Sequence, residues 1–174
     1  MKTRVILSAV GSDRPGLTRA LADAVAEAGG NWLESHLSRL GGLYVGSVLV
    51  ELDDSMLSRF ESAIRAVDAH GLAVSLLPAG DEPAAQAGDT LKLELVAQDR
   101  PGIVREVTTV LAELRVNIED FVTSTQNGAW SGERLFRAAA RLSLPAGLGI
   151  DDLRTALEAL SGDLMVDFSF ARMN

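Results

Sequence analysis

The chemistry this chain could do is concentrated in a tetrapeptide that occurs twice. "GSDRPGLTRAL" begins at Gly11 and "AQDRPGIVREV" at Ala97, each after an apolar run and before a helical one. Pro15 and Pro101 stand where a helix begins, where a fixed φ helps and a missing N–H does no harm. Asp13 and Asp99 lie close enough to cap the free amides of the first turn. Gly16 and Gly102 keep that turn bare, so another backbone or a ligand can approach the amides. Two uses stay open at this point: a well-started helix, or an anion site, because bare amides at a helix N-terminus suit a carboxylate. In the second use Asp13 and Asp99 either meet the ammonium group of the same molecule or remain with the cap. A free amino acid carries both charges. Asn31 and Asn117 follow at the junction of each first helix and second strand. They read either as turn residues tolerating left-handed geometry or as amides that hydrogen-bond a ligand's amino or carboxylate group.

Other chemistry is sparse. The 174 residues include no cysteine, which removes disulfides, thiolate catalysis and sulfur-ligated zinc and fits a reducing, cytoplasmic setting. His36 and His70 are the two histidines. Glu34 shares a strand face with His36, but two histidines without cysteine make a poor metal inventory. His70 ends a helix, where an imidazolium suits the dipole. Glu119-Asp120 and Asp151-Asp152 read as a strand start and a helix start. No nucleophile–base–orienter set is present, so neither catalysis nor a cofactor is expected. The net charge is −8, and the 16 Lys and Arg include no run of three. Direct nucleic-acid binding, which draws on phosphate neutralisation, is disfavoured, and so is an acidic membrane surface. No apolar run reaches the roughly 20 residues of a membrane span, and "MKTRVILSAVGSDRPG" reads as a strand rather than a signal peptide. A role in gene control would pass through another protein.

The elements that must position these groups also come twice. Asp13 falls on Asp99 at an offset of 86 residues, and with no gap Leu17 falls on Ile103, Val25 on Leu111, Glu27 on Glu113 and Asn31 on Asn117. The offset grows at the next hairpin, where "NGAWSGE" replaces "GG"; Phe60, Ile64 and Val67 then match Leu153, Leu157 and Leu160. In the first copy "RVILSAV" predicts a strand, and residues 15–28 place Leu17, Leu21, Ala24, Val25 and Ala28 at helical spacing before Gly29-Gly30. "NWLESHLSRL" and "LYVGSVLVEL" form a hairpin around Gly41-Gly42. Residues 55–69 predict a second helix and "LAVSLL" a last strand. The second copy repeats the order, with strands near 90–97, 117–126, 134–144 and 163–170 and helices near 101–115 and 150–161. Residues 78–89, "PAGDEPAAQAGD", have linker composition, which gives domains over 1–77 and 90–174.

The order β-α-β-β-α-β is the ferredoxin-like split unit of the α+β class, a four-stranded antiparallel sheet with two helices on one face. Its other face is left uncovered, so pairing of the copies or a homodimer is expected. Trp130 stands at the tip of the longer hairpin; it either folds back on its own domain or is offered to a partner.

The stretches "SAVGSDRPGLTRALADAVAEAGGNWLES" and "ELVAQDRPGIVREVTTVLAELRVNIED" resemble ACT domains, small regulatory modules of amino-acid-controlled proteins. The resemblance covers residues 3–77 and 90–171. It implies ligand binding at interfaces between modules, through the loop before the first helix and the start of the second strand. Carried over, these are Gly11, Ser12, Asp13, Pro15, Gly16 and Asn31, with Ala97, Gln98, Asp99, Pro101, Gly102 and Asn117. Ala97-Gln98 in place of Gly11-Ser12 departs from the first loop, so one half is expected to bind and the other to act as scaffold. A free-standing pair of such modules is most similar to the glycine-cleavage-system transcriptional repressor group, which implies a small amino acid ligand, glycine or serine in class, and a regulator protein as partner. Similar "DRPG" modules precede the catalytic part of formyltetrahydrofolate deformylases and some phosphoserine phosphatases. The alternatives are therefore a regulatory subunit of such an enzyme or a scaffold without ligand.

Overall fold

The computed structural model describes residues 1–68, 71–80, 89–127, 133–160, 162 and 164–170. The chain divides into two compact units, Met1–Glu82 and Pro83–Asn174. Unit one runs β1 (Lys2–Ser12), α1 (Leu17–Glu27), β2 (Asn31–Leu40), β3 (Leu43–Asp53), a short 3-10 turn (Asp54–Met56), α2 (Leu57–Asp68) and β4 (Leu72–Pro78). Unit two runs β5 (Thr90–Gln98), α3 (Ile103–Glu113), β6 (Asn117–Asn127), β7 (Arg134–Ser143), α4 (Ile150–Glu158) and β8 (Met165–Phe170). The sheets have the orders β2-β3-β1-β4 and β6-β7-β5-β8, with antiparallel pairing throughout. Each unit is the expected ferredoxin-like α+β fold.

Alternation along the central strands decides which sheet face packs. Val5, Leu7 and Ala9 of β1 are buried with Val48, Val50 and Leu52 of β3. Leu17, Leu21, Ala24 and Val25 of α1 close over them, as do Phe60, Ile64 and Val67 of α2. In unit two Leu91, Leu93 and Leu95 meet Val107 and Leu111 of α3 and Leu153 and Leu157 of α4. Burying each such side chain contributes about 1.5–3 kcal/mol. The residues between them point to the opposite face of the sheet, where Val10 stays 47% exposed and Lys92 and Glu94 are also exposed.

The first helices end alike. Gly30 N–H reaches Val25 O at 2.9 Å and Val116 N–H reaches Leu111 O at 2.8 Å, around a residue in left-handed backbone, Gly29 (φ 67°) or Arg115 (φ 57°). This is the Schellman closure. It corrects one reading of Asn31 and Asn117: among the described residues Arg115 is the non-glycine with positive φ, so the left-handed step falls two residues before each asparagine. Both second strands carry a bulge, between Trp32 and Glu34 and between Ile118 and Asp120, where one extra residue interrupts the pairing.

Candidate ligand-binding site

The repeated tetrapeptide is a turn before it is a helix. Gly16 has φ 92° and ψ −3°, and Gly102 has φ 90° and ψ −6°. These are the angles of the third residue of a type II turn, in which proline favours the second place. In unit two the turn is closed by Ile103 N–H on Arg100 O at 3.4 Å. The helices begin at Leu17 and Ile103, so Pro15 and Pro101 are turn residues two places earlier, not first helical residues.

The capping expectation for the two aspartates is also corrected. The turn puts a glycine at the capping position, and neither helix start has a side-chain cap. The Asp13 carboxylate instead pairs with Arg39 of β2. The Asp99 carboxylate lies 3.9 Å from Arg134 Nη1, while its amide donates to Arg134 O at 2.8 Å.

Space at the two helix starts differs. A Cβ built on Gly16 meets nothing within 4 Å, whereas one on Gly102 lies 3.9 Å from Glu106 Oε1. Glu106 accepts from both Arg100 terminal nitrogens, at 2.7 and 2.5 Å. That hydrogen bonding holds its carboxyl below the usual carboxylate range; desolvation opposes it as the next largest cause, and the charge of Arg100 adds the smallest lowering contribution. At the same offset unit one carries Arg14 and Ala20, and a cleft of about 380 Å³ opens there between α1 and α2.

The remaining loop residues divide by role. Gly11 answers to the fold: its Cβ would lie 2.4 Å from Gly71 O and 2.7 Å from Leu72 Cα, both backbone. Ala97 is 3% exposed and belongs to the core of unit two. Ser12 is exposed. Gln98 donates to Glu133 Oε2 at 3.1 Å. Beside the first loop lie Tyr44, which shares a 2.8 Å hydroxyl contact with Thr18, and Arg39, neither of which sequence reasoning singled out. Both come from the β2–β3 hairpin, and their approach to the loop depends on strand register.

Asn31 and Asn117 are exposed but stand far from the loops of their own units. Asn31 faces Glu51, which faces Arg4, while Gly11 faces Tyr44. Arg4 and Gly11 are thus seven residues apart along one strand, a separation of about 23 Å at the rise of a β-strand. Asn117, through Ser143, sits level with Thr90, at the end of β5 away from Gln98. One unit by itself brings together residues 11–16, or 97–102, and leaves the asparagine at the opposite end.

Among the described residues no group of three or more His, Cys, Asp or Glu could hold a metal. His36 Nε2 and Glu34 Oε1 are 3.1 Å apart and both exposed. Among the described residues no helix is long and apolar enough to cross a membrane. Trp130 and His70 lie outside the described residues.

Two ferredoxin-like units, each launching its first helix from an Asp-Arg-Pro-Gly turn, make the chain a tandem of two like modules. The chain belongs to the ACT domain family, whose models match residues 3–76 and 92–139. Among solved structures, an unknown protein from Galdieria sulphuraria is 27% identical with a TM-score of 0.79, over 99% of this chain and 100% of that one. A candidate glycine cleavage system transcriptional repressor is 19% identical with a TM-score of 0.71, over 99% of both chains. At that identity the likeness is one of fold. Comparison with curated proteins gives no match.

Proposed function

We propose that this chain is an amino-acid-sensing regulatory protein rather than an enzyme. A small amino acid of the glycine or serine class binds at an interface between ACT domains, through the loop before the first helix and the start of the second strand. The binding alters affinity for a partner protein, a transcriptional regulator of glycine metabolism. The observation that carries the reading is the uncapped start of α1, with open space at Gly16, in a chain built of two ACT domains. Amides at a helix start attract a carboxylate. The Asp13–Arg39 pair, in which Arg39 is 75% exposed, is of the surface kind worth about 0–1 kcal/mol, so a ligand ammonium can displace Arg39. Since Asn31 stands at the far end of its own unit, it joins the loop of residues 11–16 only from the second chain of a homodimer. The net charge of −8 favours action through a protein over direct contact with DNA. The named relative of similar fold supports the choice of glycine.

Regulation requires the ligand to bind the two states of the protein with different affinity. Calorimetry and thermal shift with a panel of amino acids test the reading. Ligand at 100 times its dissociation constant stabilises by about 2.7 kcal/mol. Asp13→Ala and Asn31→Ala are expected to weaken binding more than Asp99→Ala and Asn117→Ala. Copurification with an enzyme of one-carbon or amino-acid metabolism instead of a regulator would replace the partner proposed here.

A further inference from the structure

We infer that two copies of this chain associate through the open sheet face of unit one, packed face to face about a two-fold axis. The inference goes beyond the amino-acid reading: it names the face and its occupant, and it needs no ligand.

The two units provide the comparison. Their sheets share one strand order, and β1 aligns with β5 at the same offset of 86 residues as the tetrapeptides. On β1 the side chains that alternate with the buried Val5, Leu7 and Ala9 are Ile6, Ser8 and Val10. Pairing sets Leu49 and Leu77 on either side of Ile6, and Val45 beside Val10. The corresponding positions of β5 are Lys92, Glu94 and Val96, with Arg141 beside Lys92 and Arg137 beside Val96. Ile6, Leu49 and Val45 of the first face are thus cations in the second. One backbone arrangement is dressed for water in unit two and left apolar in unit one, where Val10 is 47% and Leu77 57% exposed.

The polar groups on the apolar face are matched among themselves. The Ser8 and Ser75 hydroxyls lie 2.7 Å apart at its middle. At its margins Glu34 meets His36 at 3.1 Å and Lys2 meets Glu51 at 2.9 Å. An apolar middle inside a polar rim is the anatomy of a protein interface.

Charge selects the occupant. A charged surface laid on this face would lose its water without gaining partners, which is costly, and the sheet face of unit two, with Lys92, Glu94, Arg137 and Arg141 exposed, is such a surface. The surface of matching chemistry that this sequence supplies is the same face on a second copy, because a two-fold axis sets like patches against each other. Size sets the strength. Strands β1, β2 and β3 have ten or eleven residues and β4 has seven. At about 3.3 Å per residue and about 4.8 Å between strands they make a footprint of about 600 Å². Two footprints total about 1,200 Å², the lower end of specific interfaces, so the dimer is reversible.

Sedimentation equilibrium of the full chain, over a hundredfold range of concentration, reads the association. A monomer–dimer equilibrium is expected with no amino acid present, and it should hold or tighten as salt is raised, since salt screens repulsion between two acidic chains. Ile6→Lys and Val45→Arg install in unit one the residues that unit two carries at those places. Each is expected to weaken the dimer at least tenfold while the Leu7 amide stays protected from hydrogen exchange. Should either fail to fold, Val10→Ser, at an exposed position, supplies the same reading. Lys92→Glu is expected to leave the dimer unchanged. The inference is overturned by a chain that stays monomeric over the whole range, by a dimer that the unit-one variants leave intact, or by one that Lys92→Glu weakens. A dimer that forms in a chain blind to glycine and serine refutes the sensing reading alone, so the two failures are distinguishable.

Discussion

Alanine at Gly11 and at Gly16 should destabilise the protein for opposite reasons, and the order of the two effects tests the loop geometry. At Gly16 the backbone is left-handed, φ 92°, but an added Cβ meets nothing within 4 Å. The penalty is conformational, about 1–2 kcal/mol for an L-residue in that region, offset by about 0.4–1 kcal/mol from the stiffer unfolded chain. The net loss is about 1 kcal/mol. At Gly11 the added Cβ lies 2.4 Å from Gly71 O and 2.7 Å from Leu72 Cα. Neither atom is the end of a flexible side chain, so the start of β4 has to move and its pairing with β1 at Gly11 and Leu72 is disturbed. Overpacking of this kind costs typically 1–3 kcal/mol. Urea titration followed by circular dichroism reads both. With a slope of about 1 kcal/mol/M for a domain of this size, Gly16→Ala moves the midpoint by about 1 M and Gly11→Ala by more. Gly16→Asn should fall between Gly16→Ala and the parent chain, because asparagine tolerates left-handed backbone. A harmless Gly11→Ala beside a severe Gly16→Ala would refute the account of the loop.

Three further outcomes follow from the same geometry. Arg115→Gly relieves a non-glycine residue at φ 57° and should raise stability by up to about 1 kcal/mol, read as a higher melting temperature. Glu106 has its carboxyl held down by Arg100, so its contribution is fully present above the unfolded carboxylate value of about 4.3 and fades as pH falls through the lower folded value. The stability difference between the parent chain and Glu106→Gln should accordingly be constant near neutrality and shrink only in acid, as measured by urea midpoints from pH 7 to pH 2.5. Hydrogen exchange should find the amides of Leu7 and Leu93, in the central strands of both cores, among the slowest in the chain, because central strands open last.

The core was legible because its signals are local. Leu17, Leu21 and Val25 recur at helical spacing and are buried, and the apolar run "RVILSAV" marks a strand whose Val5, Leu7 and Ala9 are buried. The tetrapeptide was legible as a helix start but not as the turn it makes. Proline followed by glycine signals type II geometry, and that geometry gives the capping position to a residue with no side chain. The aspartates were thereby released to Arg39 and Arg134, partners fixed by strand register rather than by sequence spacing. The left-handed step near Asn31 was marked by Gly29-Gly30, but in the second copy Arg115 takes it, and nothing in an arginine announces that conformation. The separation of Asn31 from the loop of its own unit follows from β2 pairing with β3, a non-local fact. Arg100 and Glu106 are six residues apart, outside the three- and four-residue spacing of helical neighbours, because the turn between them folds the arginine back.

The central claim is that the uncapped start of α1, completed by Asn31 of a second chain, holds a small amino acid. Isothermal titration of glycine and of serine into the full chain and into Asn31→Ala tests it most directly. The account predicts saturable binding of at least one of them to the parent chain and a loss of at least tenfold in Asn31→Ala. No heat from either amino acid, or equal affinity in the two proteins, would contradict it.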